Sequence, residues 1–252
     1  MLAICTALQQ YGCAGRGGAG EFVRPGWDRR QDATELFELS SSGLGRLDDL
    51  TAEAKITFSH ASRRRTVTAS MVYAKPDLFR LDVRGPLFSR LLTALVHGDS
   101  LVVLNAGQVW RDLMAARLLV ELTDFDVGPY DIRYALLGLV QTGRVDPAGG
   151  ISYPRADRAV IALAEESGSR RTVWVDLHRG FVFREELVWD DGERGWSREM
   201  GDYRTVETED GDLYLPSRVV ITQGNLAIEL KYRSYTADTG VTTESLFAGI
   251  PK

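Results

Sequence analysis

Along most of this chain, apolar and polar residues alternate one by one, and few folds accommodate such a pattern. Ala52, Ala54, Ile56 and Phe58 alternate with Glu53, Lys55 and Thr57. Val67, Ala69, Met71 and Tyr73 share one parity, opposite Thr66, Thr68 and Ser70. Phe79, Leu81 and Val83 alternate with Arg80, Asp82 and Arg84. Near the end, Leu226, Ile228, Leu230 and Tyr232 stand against Glu229, Lys231 and Arg233. Successive side chains of a strand point to opposite faces, so period two means a sheet with one greasy and one wet face. Such sheets are typically antiparallel, and the short polar connections between the segments favour meander hairpins.

The same pattern predicts strands at Leu91–Val96, Leu101–Leu104, Gln108–Leu113, Ala159–Ala164, Thr172–Leu177, Phe181–Trp189, Gly195–Arg204 and Arg218–Thr222. That makes about eleven or twelve strands in a mainly β (α+β) protein, and a single sheet so wide must curl. Three helical stretches interrupt it. The first runs from Trp27 to about Leu50, with Ser40-Ser41-Ser42-Gly43 breaking it. The second is Ala115–Leu122, with Leu118, Leu119 and Leu122 on one side. The third starts at Gly128-Pro129 and carries Ile132, Ala135, Leu136, Leu139 and Val140 at i, i+3, i+4, i+7 and i+8, with Gly143 as its stop. These mid-chain helices are placed to cover the apolar concave face. With no linker-like stretch after residue 25, residues 26–252 read as one domain.

Residues 1–25 read as a degenerate leader and flexible tether. Met1 to Leu8 is a short apolar run without a positive n-region, and Ala14–Gly20 is glycine-rich. Gly12-Cys13 fits the small residue that bacterial lipoproteins place before a lipidated cysteine, although Gln10 departs from the Leu-like residue expected three positions upstream. Cys13 is therefore the candidate lipidation site. The only other cysteine is Cys5, so a disulfide scaffold is excluded. A formal net charge of −5 argues against a nucleic-acid partner, because phosphate contacts require concentrated Lys and Arg.

Catalytic motifs are sparse. Gly98-Asp99-Ser100-Leu101 spells the signature of a lipase/esterase family in which the serine is the nucleophile. A serine needs a base held by a third group. That family's Asp-x-x-His has no counterpart, since Asp176-Leu177-His178 has the wrong spacing. His60, His97 and His178 lack ligand-like spacing, so no metal and no cofactor is expected. Arg63-Arg64-Arg65 reads as a solvated hairpin turn, with contact to anionic head groups or a partner as the alternative. Glu207–Asp212 reads as a solvated acidic loop.

Three segments together resemble a known family. The stretch Ala54–Leu104 reads as strand, hairpin, strand, then Leu78-Phe79-Arg80-Leu81-Asp82-Val83-Arg84-Gly85-Pro86-Leu87, then further strands; Ala135-Leu136-Leu137-Gly138-Leu139 follows at the end of a helix, and Tyr214-Leu215-Pro216-Ser217 precedes the two last strands. Over roughly residues 30–235 the chain is similar in element order, at low identity, to the LolA/LolB-like lipoprotein-sorting family of Gram-negative bacteria. The resemblance implies a curved, unclosed antiparallel β-barrel whose helices cover an apolar cavity for acyl chains. It implies a non-catalytic envelope protein, anchored in the outer membrane and facing the periplasm, that assists lipoprotein localisation. Its partners would be acyl chains of lipoproteins or lipids, the membrane surface and a periplasmic carrier protein. Leu87 matches the loop leucine that helps pass lipoproteins into the membrane, and Phe88 follows it where the receptor has glycine. The cavity lining expected is Ile56, Phe58, Val67, Met71, Tyr73, Phe79, Leu81 and Val83, with Leu136 and Leu139 as a lid. Two alternatives remain: a lipid-sensing or partner-docking envelope module on the same fold, and, last, a serine esterase using Ser100.

Overall fold

A computed structural model describes residues 32–41, 47–61, 63–85, 89–123, 125, 134–140, 145–146, 150–165, 168–189, 194–209 and 211–250. Cys13, the leader and tether, Leu87 and Phe88 lie outside the described residues. In chain order the elements are α1 (Ala33–Ser41), β1 (Asp49–His60), β2 (Arg63–Ala74), β3 (Leu78–Arg84), β4 (Arg90–His97), β5 (Ser100–Asn105) and β6 (Gln108–Arg111). Next come α2 (Asp112–Thr123), a helical turn α3 (134–137), β7 (Val145–Asp146), β8 (Ile151–Arg155), β9 (Arg158–Glu165) and β10 (Arg170–Asp176). The chain closes with β11 (Phe181–Val188), β12 (Arg194–Val206), β13 (Leu213–Gln223), β14 (Leu226–Ala237) and α4 (Thr243–Phe247).

All strands join one 14-stranded sheet in the order β6-β5-β4-β3-β2-β1-β14-β13-β12-β11-β10-β9-β7, with β8 also on β9. The pairings are antiparallel, and among the described residues β6 and β7 form the two edges. The sheet therefore consists of two meanders that grow in opposite directions from a central seam. That seam is β1 against β14, from Leu50↔Ala237 to His60↔Leu226, with one bulge between Glu53 and Ala54. It determines where the helices go. After β6 the chain stands at one edge and must resume at β7, at the other, so the connection with α2 and α3 crosses the inner face. Ala115 of α2 and Ala135 and Leu137 of α3 are buried in the same core as the inward residues of the sheet.

The 14 strands among the described residues exceed the expected eleven or twelve because β7 and β8, at the far edge, are too short to show a period. The helical pattern toward Leu50 ends at Ser41, and β1 begins at Asp49. β13 starts at Leu213, five residues before the expected Arg218, and runs through Pro216. A proline is tolerated there because β13 pairs with β14 only from Arg218 onward, so Pro216 faces no ladder on that side. Asp112, at φ 47°, ends β6 and makes Leu113 helical rather than extended.

The third helix also stops early, at Gly138 rather than Gly143. Gly138 has φ 68°, and the Leu139 N–H donates to Tyr134 O at 3.0 Å, which is the six-to-one bond of a glycine-terminated helix. A β-carbon on Gly138 would lie 2.4 Å from Pro216 Cγ. Two of the segments that carry the family resemblance thus meet in space. The last helix, α4, which the alternation does not reveal, is capped by the Thr242 hydroxyl and buries Leu246 on the outer face against Ala74, Leu78 and Leu95. Arg80 holds it there, donating to Leu246 O at 2.6 Å and Ala248 O at 2.9 Å while its Nε pairs with Asp82 at 2.7 Å.

A half-filled inner face with an apolar cleft

The interior divides into a packed end and a hollow one. At the end remote from the β1–β2 hairpin, Leu50, Met71, Tyr73 and Phe79 are buried side by side across β1, β2 and β3. Toward the hairpin the inner face opens into a half-open cleft of about 540 Å³, within the ~300–1,000 Å³ usual for small-molecule sites. Its floor is Ile56, Phe58, Val67, Leu81, Val83, Ala94, Ile221 and Ile228, and its cover is Leu119 and Leu122 of α2, Phe125, and Ala135 and Leu136 of α3.

Of the ten residues expected to line a cavity, Ile56, Phe58, Val67, Leu81, Val83 and Leu136 border this one. Met71, Tyr73 and Phe79 belong to the packed end. Leu139 is buried but does not border the cleft. The left-handed turn at Gly138 ends the helix before it, so Leu139 no longer shares a helix face with Leu136.

Three charged side chains missed by the alternation hold the cover in place. Arg171 on β10, Glu185 on β11 and Arg198 on β12 are all buried on the inner face. Arg171 Nη1 donates to Glu185 Oε1 at 2.9 Å, and Arg198 Nη2 donates to Glu185 Oε2. Arg198 also donates to Tyr134 O at 2.5 Å and Leu139 O at 2.8 Å, the carbonyls around the end of α3. Both guanidiniums lie over the Trp196 ring, Arg171 at 5.8 Å and Arg198 at 5.9 Å from its centroid. A sequence signal for them exists: Arg171 shares parity with Val173 and Val175, and Arg198 with Trp196 and Met200. Charges at apolar parity on adjacent strands are parity violations, and buried charges persist only when paired.

A second carboxylate is equally well held. Asp49 accepts from Thr239 N at 2.9 Å, Thr239 Oγ1 at 2.7 Å, Gly240 N at 2.8 Å and Val241 N at 3.0 Å. Burial pushes its pKa up, but the hydroxyl and the three N–H donors outweigh it and leave the group below the usual carboxylate range.

The esterase-like tetrapeptide occupies the β4–β5 hairpin: Gly98, at φ 57°, and Asp99 make the turn, and Ser100 opens β5 opposite His97. Asp176 accepts from the N–H groups of His178 and Arg179, both at 3.1 Å, as a turn former. Among the described residues no group of His, Cys, Asp and Glu could hold a metal ion, and no helix is long and apolar enough to cross a membrane.

No family model matches the sequence, and no curated protein does. Solved structures do match in fold. A LolA superfamily protein from Nitrosomonas europaea is similar over 85% of this chain and 96% of its own, with a TM-score of 0.60 at 13% identity. A DUF1329 family protein from Desulfovibrio piger is similar over 86% of this chain and 100% of its own, with a TM-score of 0.62 at 13% identity. An outer-membrane lipoprotein-sorting protein domain from Vibrio parahaemolyticus covers 85% of this chain and 97% of its own, at a TM-score of 0.58 and 11% identity. The fold is that of the LolA-like lipoprotein-sorting proteins, as the sequence resemblance implied.

Proposed function

We propose that this protein is a non-catalytic envelope protein that binds acyl chains of lipoproteins or lipids reversibly in its inner cleft and assists lipoprotein localisation to the outer membrane. One observation carries the reading: the inner face of a LolA-like sheet is left hollow over about 540 Å³, walled by aliphatic and aromatic side chains and covered by α2 and α3. An acyl chain leaving a membrane loses roughly 0.8 kcal/mol for each methylene not re-buried, and such a cleft restores that contact. The cleft is open at one side, which suits a ligand that enters by its chain and keeps its polar end outside. In this reading Cys13 anchors the protein through the glycine tether, and Leu87 and Phe88 meet the membrane surface.

Native mass spectrometry of the protein isolated from a bacterial envelope tests this. Mass increments that correspond to acylated molecules, and that disappear when Val83→Trp occupies the cleft, are the expected result. A ligand-free mass combined with no binding of any added acylated compound overturns the reading.

A further inference from the structure

The apolar parity of β1 and β2 does not stop at the end of the greasy cleft; it continues into charge. On β2 the inward residues run Tyr73, Met71, Ala69, Val67 and then Arg65 and Arg63. Their register partners on β1 are Phe58 opposite Arg65 and His60 opposite Arg63, and on β14 Ile228 and Leu226 stand opposite Phe58 and His60. Arg63, Arg64 and Arg65 all border the cleft at its hairpin end, Arg63 and Arg65 from the inward parity. No carboxylate borders the cleft among the described residues. Arg64 has the other parity and lies 4.0 Å from Glu229, whose other partners are Arg218 and Lys231 on the outer face. Neither Arg63 nor Arg65 has an ion pair among the described residues.

We infer that the cleft takes a phospholipid with an anionic phosphodiester head group, its acyl chain against Ile56, Val67 and Ile228 and its phosphate between Arg63 and Arg65. This rests on the acyl-chain reading above and names the ligand class of the same cleft. Side chains two apart on one face of a strand stand about 6.5–7 Å apart at their roots. Two guanidinium forks at that spacing converge on one tetrahedral anion, whose oxygens offer more acceptors than a carboxylate does. The site is also ordered as an amphiphile is ordered. Its apolar part is interior, its cationic part is exposed, and both lie on one face of one hairpin. An acid on this rim would neutralise the arginines within the protein, as Glu185 does for Arg171 and Arg198. With none bordering the cleft among the described residues, the arginines are open to an anionic ligand.

The test compares palmitoyl lysophosphatidylglycerol, monopalmitoylglycerol and palmitate, each below its critical micelle concentration, by isothermal titration on the full chain. The expected result is binding of the lysophospholipid at least about tenfold tighter than of the neutral glyceride, as charge-assisted bonds to two arginines require. The double variant Arg63→Gln/Arg65→Gln should lose that difference while binding the glyceride as before. Lys55→Gln/Lys231→Gln, which removes the same charge from the outer face, should keep it. Circular dichroism of each variant establishes that it is folded. Equal affinities for lysophospholipid and glyceride, unaffected by the arginine variant, overturn this inference and leave the acyl-chain reading standing. Palmitate bound more tightly than the lysophospholipid overturns the phosphodiester assignment. Failure of all three to bind the wild type overturns the acyl-chain reading itself.

Discussion

Replacing Arg198 with methionine should both destabilise the protein and release the cover of its cleft. The aliphatic stem is retained by methionine, so the loss is almost wholly that of the guanidinium. That group donates to Glu185 and to the carbonyls of Tyr134 and Leu139. Removing one member of a buried ion pair costs about 3–5 kcal/mol when the other is stranded. Glu185 is not stranded, because Arg171 still donates to it at 2.9 Å, which favours the lower end of that range. Two carbonyls losing a charged donor add about 1 kcal/mol each. The sum is about 5 kcal/mol, a large part of the ~5–15 kcal/mol that holds a domain together. Urea unfolding followed by tryptophan fluorescence is well suited, since Trp196 sits against both guanidiniums. With a slope of about 2–3 kcal/mol/M the midpoint should fall by roughly 1.5–2.5 M. Hydrogen exchange at the Leu139 amide, bonded to Tyr134 O, should accelerate more than exchange in the β1–β14 seam. A midpoint shift below about 0.3 M would refute the reasoning. So would a large shift with Leu139 and the seam exchanging in step, because the network would then stabilise the sheet as a whole and not the cover.

Three further outcomes follow from single sites. Gly138→Ala must place a β-carbon 2.4 Å from Pro216 Cγ at φ 68°; it should cost about 2–4 kcal/mol and lower the melting temperature by roughly 5–10 °C. An unchanged melting curve would mean that α3 does not end there. Asp49 should contribute to the acid limb of stability. Its folded pKa is below the unfolded one, so its contribution is complete above the ordinary carboxylate range and disappears as the pH falls through the folded value. The urea midpoint of Asp49→Asn should therefore be lower than wild type at neutral pH and converge with it as the pH falls below the folded value; parallel curves would contradict this. Val83→Trp, at a half-buried wall position of the cleft, should abolish acyl-chain binding while changing stability by less than about 1.5 kcal/mol, read by probe displacement and thermal melting. Retained binding would place the ligand elsewhere.

Much of the sheet was legible because period two is a local signal. On β1, β2, β3 and β14 parity alone identified the inward face, since each residue reports only which side its own side chain takes. What it missed was non-local or short. The β1–β14 seam joins residues far apart in sequence, such as Leu50 and Ala237, and no window contains both. β7 has two residues, too few for any period. The extent of the cleft was illegible for a different reason. Phe79 and Phe58 carry the same pattern, yet one is packed and the other borders empty space. That difference is decided by how far α1, α2 and α3 reach across the inner face.

The charged residues at apolar parity show how such a pattern separates structure from function. Two sets break the rule on the inner face: Arg171, Glu185 and Arg198 on one meander, and Arg63 and Arg65 on the other. In the first set the register makes Glu185 the direct partner of Arg198, and its carboxylate also reaches Arg171. The charges cancel within the protein, water is excluded, and the network fixes α3 in place. In the second set the opposing residues are Phe58 and His60, then Ile228 and Leu226. No acid stands within that register, so the arginines remain at the exposed end. An unpaired cation on a face otherwise selected for burial contributes nothing to folding, and it lowers the apolar content of a wall that a simple core would complete. The same parity violation therefore has opposite meanings, and the neighbouring register position decides which applies. Where the neighbour carries the opposite charge the residue belongs to the scaffold; where it is apolar, the charge is directed at what the cleft receives.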